Sequence, residues 1–143
     1  MHERVIRGAA DAIVLASPDG KIELWNPAAE RLFGFTEAEA LGQPLDIVIP
    51  EKYQERHWAG FHEVMRTGKT HYGDQVLRVP ALRKDGSRFS IAFTVGLLQK
   101  TDGQVEGIFA VMRDDTEAFN THKALRDRVK ELEQALEGAK AKR

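Results

Sequence analysis

Hydrophobic and polar positions change period several times along the chain. Residues 12–16, Ala-Ile-Val-Leu-Ala, form a short apolar run with β-branched members, and Ser17-Pro18-Asp19-Gly20 stops it with turn-forming residues. Ile22 and Leu24 then alternate with Lys21 and Glu23 at the period of a half-buried strand, so that with Trp25 the segment predicts a hairpin. Asn26-Pro27 ends it. Asparagine caps helices and proline suits their first position, which predicts a short helix from Ala28 to Phe33 closed by Gly34. Thr36-Glu37-Ala38-Glu39 has the spacing of a capping box, and a second short helix is expected to end near Gly42.

A longer helical period follows Leu45-Asp46-Ile47-Val48-Ile49-Pro50. From Glu51 to Thr67, before Gly68, the apolar or aromatic residues Tyr53, Phe61, Val64 and Met65 recur at helical spacing, with His57 between Tyr53 and Phe61 on the same face. Strand-like segments then run from Gln75 to Arg83, Arg88 to Leu98 and Val105 to Met112, separated by turns at Lys84-Asp85-Gly86-Ser87 and Thr101-Asp102-Gly103. The inner faces of these strands, read as Ile91, Phe93 and Val95 with Phe109 and Val111, line a space beneath the long helix that suits a ligand. From Thr116 the chain becomes charged and alanine-rich. His122, Leu125, Val129, Leu132, Leu136 and Ala139 follow one another at intervals of 3, 4, 3, 4 and 3, a coiled-coil seam too short to stand alone in water.

Two strands, short helices and three antiparallel strands give one mixed sheet with the helices on one face, an α+β arrangement. The 143 residues, 42% hydrophobic and 30% charged, fit one globular core. A net charge of −1 provides no field to attract nucleic acid, although Lys140, Lys142 and Arg143 are locally basic. The absence of cysteine excludes disulfides, thiol nucleophiles and cysteinyl-flavin chemistry. No run approaches the roughly 18 apolar residues of a membrane span and no apolar leader opens the chain, so a cytoplasmic location is expected.

Nothing in the sequence points to catalysis. There is no phosphate-binding glycine loop, serine elbow or metalloprotease run. Glu51 and Glu55 share a helix face without an opposing nucleophile, which describes a solvated face rather than an acid/base pair. Trp25 and Phe33 to Phe35 read as core, and Asp114-Asp115 as the cap of the tail helix rather than a metal pair. His62, one turn beyond Trp58, reads as a surface histidine and a secondary candidate ligand.

The order of elements, with Asp19-Gly20, the run Trp25-Asn26-Pro27-Ala28-Ala29-Glu30-Arg31-Leu32-Phe33-Gly34-Phe35, the Lys84-Asp85-Gly86 turn and Arg113-Asp114-Asp115-Thr116, resembles the PAS family over roughly Ala9 to Thr116. The resemblance implies a cytoplasmic sensor in which a five-stranded antiparallel sheet and short helices on one face enclose a cofactor or metabolite. It implies a sensor domain over 1–116 and a C-terminal coiled-coil signalling helix over 117–143, which relays the signal as a homodimer to an output domain or partner such as a histidine kinase.

Within that family, Ile49-Pro50-Glu51 followed by Arg56-His57 is similar to the haem-binding PAS domains of bacterial oxygen-sensor kinases. The similarity implies haem b, with His57 as proximal iron ligand and His71, 14 residues on, against a propionate. A neutral imidazole offered to an apolar slot is a sound axial donor, and Phe61, Val64, Phe93 and Val95 suit the walls of a flat macrocycle. The chain departs from the pattern at Leu77, where the oxygen sensors carry an arginine that binds the gas, and at Glu63, where a cation is expected. Arg78 should point to the opposite strand face. A diatomic gas or redox state is then the signal, with stable dioxygen binding disfavoured. A metabolite-binding or purely dimerising PAS module, and a noncovalent flavin PAS, are the alternatives.

Overall fold

The computed structural model describes residues 1–70 and 72–141. Five strands, β1 (Ala12–Ala16), β2 (Ile22–Trp25), β3 (Leu77–Leu82), β4 (Arg88–Gln99) and β5 (Val105–Asp114), form one sheet in the order β2-β1-β5-β4-β3. Every pairing is antiparallel, so the sheet is not mixed. Between β2 and β3 lie α2 (Pro27–Phe33), α3 (Glu37–Ala40), a 3₁₀ turn at Leu45–Val48 and α4 (Glu51–Thr67). A short α1 (His2–Gly8), which the sequence pattern did not predict, precedes the sheet, and α5 (Thr116–Ala141) follows it.

The local signals act as their chemistry requires. Asn26 Oδ1 accepts from Ala29 N at 3.0 Å to start α2, and Gly34, in the left-handed region at φ +85°, closes it with its N–H on Glu30 O. Thr36 and Glu39 satisfy each other's backbone N–H groups in a complete capping box. The turn after β3 docks on these helices, since Lys84 N donates to Phe33 O at 2.8 Å and its ammonium pairs with Glu39.

Strand register decides which residues meet. Across the sheet, Leu77 lies beside Phe93, Phe93 beside Met112 and Met112 beside Ala12; in the next row Val95 lies beside Ala110, Ala110 beside Val14 and Val14 beside Trp25. These rows face the helices. Trp25, Phe33 and Ile22 are the largest fully buried side chains, and the Trp25 and Phe33 rings pack at a 37° tilt with centroids 5.3 Å apart, Phe89 closing edge-on at 5.8 Å from Phe33. β3 is an edge strand containing Pro80, which lies opposite Ser90. Ser90 spends both its backbone groups on the other side, donating to Thr116 Oγ1 and accepting from Asp115 N.

Asn26 is 2% exposed and uses its whole amide. Oδ1 accepts from Ile13 N and Ala29 N, while Nδ2 donates to Ile6 O and Asp11 O, at 2.9 to 3.1 Å. One side chain therefore joins α1, β1 and α2. Asn26→Ala leaves these backbone groups without partners in a dry site, and we expect a loss of about 3 kcal/mol in urea unfolding. Asn26→Asp, which retains the acceptor and loses the donors, should fall between the two.

Candidate functional site

α4 carries the candidate chemistry. Its N-cap is Pro50 and Gly68 ends it in the left-handed conformation with its N–H on Val64 O. Three contacts hold it along the sheet. Near its start, the Tyr53 ring lies 6.0 Å from the Arg88 guanidinium at the beginning of β4. At its end, Gln99 Nε2 donates to Gly68 O at 3.0 Å. In the middle, Trp58 Nε1 donates to Asp46 Oδ1 at 2.6 Å while its ring presses on Gly20 in the β1–β2 turn. A Cβ at Gly20 would stand 2.3 Å from that ring, and Gly20 sits at φ +83°, so only glycine admits the brace.

The buried side of α4 presents Phe61 and Val64, 5% and 7% exposed, with His57 one turn earlier and half-buried. The His57 ring lies 4.8 Å from Trp58 and 6.0 Å from Phe61, centroid to centroid. Its Nδ1 is buried and, among the described residues, has no hydrogen-bond partner. Burial pushes the His57 pKa down, and the Asp46 carboxylate opposes that only in part, so the ring is held neutral. A neutral imidazole with an unsatisfied nitrogen is a competent ligand for a soft or borderline metal centre.

The sheet supplies an apolar wall. Leu77, Phe93 and Val95 share the helix-facing surface and are half-buried, so the predicted wall residues Phe93 and Val95 lie on one face with Leu77 and Ile91. Phe109 and Val111 do not. They pair with Gly96 and Thr94, on the opposite face, and the Phe109 ring lies over Gly96. The residues that β5 adds to the inner wall are Ile108, Ala110 and Met112. The inner rows of β3, β4 and β5 carry no hydroxyl side chain, and their amide, Gln99 at the end of β4, is engaged on Gly68 O. Arg78 points away from them, its Nε 3.3 Å from Asp115 Oδ2. His62 is exposed and stacks on Trp58, and His71 lies outside the described residues. Among the described residues no cluster of three or more histidine and acidic side chains is placed to hold a metal ion, and no helix is long and apolar enough to cross a membrane. The Trp58 brace was missed in the sequence; Gly20 at a turn was its one visible trace.

The start of α5 is tied to the same sheet. Asp114 Oδ1 accepts from Thr116 N at 2.8 Å, Asp114 Oδ2 pairs with Arg83 at 3.1 Å, and Asp115 N donates to Ser90 O at 2.7 Å. Asp114-Asp115 does cap the tail helix. With Arg78 on Asp115, the junction touches β3, β4 and β5 at once.

This fold and site define a sensory class of domain. The family model described as PAS fold matches residues 1–114, and the chain belongs to the PAS family. It is similar to an uncharacterized protein of Azorhizobium caulinodans (34% identity, 80% of this chain, 16% of that one) and to the sensor protein FixL of Bradyrhizobium diazoefficiens (31% identity, 92% of this chain, 25% of that one). It is also similar to the cell-division control histidine kinase PdhS of Brucella abortus (28% identity, 92% of this chain, 12% of that one). The chain thus spans a quarter or less of the length of these relatives. The PAS domain of a Colwellia psychrerythraea protein superposes with a TM-score of 0.71 at 23% identity, over 81% of this chain and 95% of that one. An RNA-binding light-oxygen-voltage receptor superposes with a TM-score of 0.74 at 22% identity, over 90% of this chain and 36% of that one. The chain is a PAS sensory module of the kind found in signalling proteins, and these likenesses at low identity speak for its fold.

The depressed His57 pKa fixes a direction for stability against pH. Below about pH 6.5 the unfolded chain binds a proton at this ring while the folded protein resists it, so stability present above that pH is lost as pH falls toward the lower folded value. We expect the urea midpoint to drop more steeply between pH 7.5 and pH 5 in the wild-type protein than in His57→Phe; parallel slopes would mean that the folded state does not resist protonation there.

Proposed function

We propose that this PAS domain binds haem b against His57 and senses a diatomic gas or redox state. The observation that carries the reading is a neutral imidazole beside an apolar wall, its buried nitrogen unpartnered among the described residues. Bound haem would supply an iron site for a small diatomic ligand. The chain's part is to offer the His57 imidazole as axial donor, to wall the macrocycle with Phe61, Val64, Phe93 and Val95, and to exclude water. By resemblance to the haem-binding PAS domains, His71 would contact a propionate. A noncovalent flavin, with its hydrogen-bonding ring edge, is served less well by a sheet face without hydroxyl side chains whose amide, Gln99, is engaged on the end of α4.

By resemblance to the oxygen sensors, Leu77, which lies beside Phe93, would stand where they carry an arginine for the gas, while Arg78 is engaged on the far side. Dioxygen, which gains most from a charge-assisted hydrogen bond, loses most. The signal then passes to α5 through β5 and the Asp114-Asp115 junction, toward an output such as a histidine kinase, with the tail as dimerisation helix. Ligand must favour one arrangement of that junction over another.

Two experiments test this. In the purified or haem-reconstituted protein, His57→Ala should lose or shift the Soret band, His62→Ala should leave it nearly unchanged, and the ferrous wild type should hold carbon monoxide or nitric oxide more firmly than dioxygen. A wild type that takes up no haem, or an unchanged His57→Ala spectrum, would leave the plain metabolite-binding or dimerising module. Hydrogen exchange with and without the bound gas should differ in the first turns of α5; identical protection after Asp114 would refute the relay.

A further inference from the structure

Asp115 carries a charge where the junction is driest. Its side chain is 10% exposed, and its backbone is engaged on both sides, N donating to Ser90 O at 2.7 Å and O accepting from Phe119 N at 2.8 Å. Among the described residues the carboxylate meets one cation, Arg78, whose Nε lies 3.3 Å from Oδ2 and whose own side chain is 64% exposed. A nearly buried carboxylate with a single partner is stable in place only while that partner stays, because an uncompensated charge must return to water. The way out is short. α5 has no buried residue, and its start is fastened by Thr116 N on Asp114 Oδ1, Ser90 N on Thr116 Oγ1 and Asp115 N on Ser90 O. When the start of α5 lifts, the carboxylate regains water, those bonds break, and no buried residue of the helix is uncovered.

The partner stands on the movable end of a strand. β3 is an edge strand and pairs with β4 alone. One end is anchored: the turn after it is bonded to α2 through Lys84 N on Phe33 O, and Arg83 both pairs with Asp114 at 3.1 Å and lies over the Phe89 ring at 3.9 Å. At the other end the polar contacts, among the described residues, are the ladder to β4 and the Arg78 ion pair. Leu77 is the first residue of the strand, and Arg78, the second, turns its backbone groups to the open margin in step with Pro80. Successive side chains alternate, so Leu77, half-buried beside Phe93, and Arg78, on Asp115, occupy opposite faces of one short step of chain. A displacement of Leu77 carries Arg78 with it. The two aspartates therefore hold opposite ends of β3, Asp114 the anchored end and Asp115 the free one.

We propose that Arg78 and Asp115 form a latch through which the free end of β3 holds the start of α5, and that displacement of Leu77 from the pocket side opens it. This rests on the reading that α5 carries the signal, and it adds to β5 a second arm that acts by charge. Closed, the ion pair compensates the carboxylate and keeps the helix start seated on Ser90. Open, it strands a nearly buried charge, and the helix start lifts to hydrate it. The two arrangements differ by one ion pair and a few hydrogen bonds, and a ligand biases them by meeting Leu77 differently in each.

Amide exchange of the full chain without any cofactor tests the latch, so its failure and the failure of the haem reading are separate results. The reporters are the amides of Asp115 and Phe119, and β1, which lies between two strands, is the control for global unfolding. Arg78→Met should speed exchange at the reporters about tenfold and leave β1 unchanged. Asp115→Leu, which puts an apolar group in the nearly buried place, should slow the Phe119 amide and make it indifferent to Arg78→Met. Leu77→Trp, an oversized group at the pocket wall, should speed the reporters about tenfold in the wild-type background and have no effect at Phe119 beside Asp115→Leu. Reporters that exchange alike in Arg78→Met and wild type, or a rise shared equally by β1, would overturn the latch. A Leu77→Trp effect that is absent, or that survives Asp115→Leu, would overturn its link to the pocket.

Discussion

The buried amide of Asn26 is the constraint on which the arrangement depends. An asparagine away from water must fill two donor and two acceptor places, and here four backbone groups from three separate segments do so. The consequence is geometric. The chain can leave β2 and enter α2 in one direction only, and that direction lays Phe33 on Trp25 and seats the turn before β4 on the end of α2. The helices that roof the sheet take their position from this corner.

Above the corner, α4 is held at both ends and in its middle, yet its buried side is lined sparsely. The brace through Trp58, Gly20 and Asp46 fixes the azimuth of the helix, and His57, the residue next to Trp58, is thereby aimed rather than merely buried. Desolvation and aim together keep the ring neutral and available.

Much of this was legible in the sequence where a signal is local. Asn26-Pro27, the Thr36–Glu39 box and Gly34 each encode a cap in a few residues, and the helical period of Tyr53, His57, Phe61 and Val64 identified the buried side of α4. The helix α5 was equally plain. What failed was non-local. In β5, Ile108 to Met112 is apolar on both faces, so alternation carries no sign, and the inward set is decided only by register against β1 and β4. One residue of offset exchanges Phe109 and Val111 for Ala110 and Met112. α1 has neither cap bond nor buried residue of its own, and the tie on Ile6 O comes from a residue 20 positions away. The contact of Trp58 with Gly20 likewise joins segments that no window of sequence spans.

Pro80 has a consequence for what the molecule avoids. Because Ser90 turns both backbone groups toward β5 and α5, the residue opposite it in β3 directs its own nitrogen and carbonyl outward, to the open margin of the sheet. At that point the margin has no proton to donate, and Arg78, whose N–H faces the same way two residues earlier, adds a charge beside it. An extended segment of another molecule that tried to zip onto β3 would meet a gap in the middle of the ladder. Growth by strand addition, the common route from a marginal sheet to fibrils, is blocked there by a missing hydrogen.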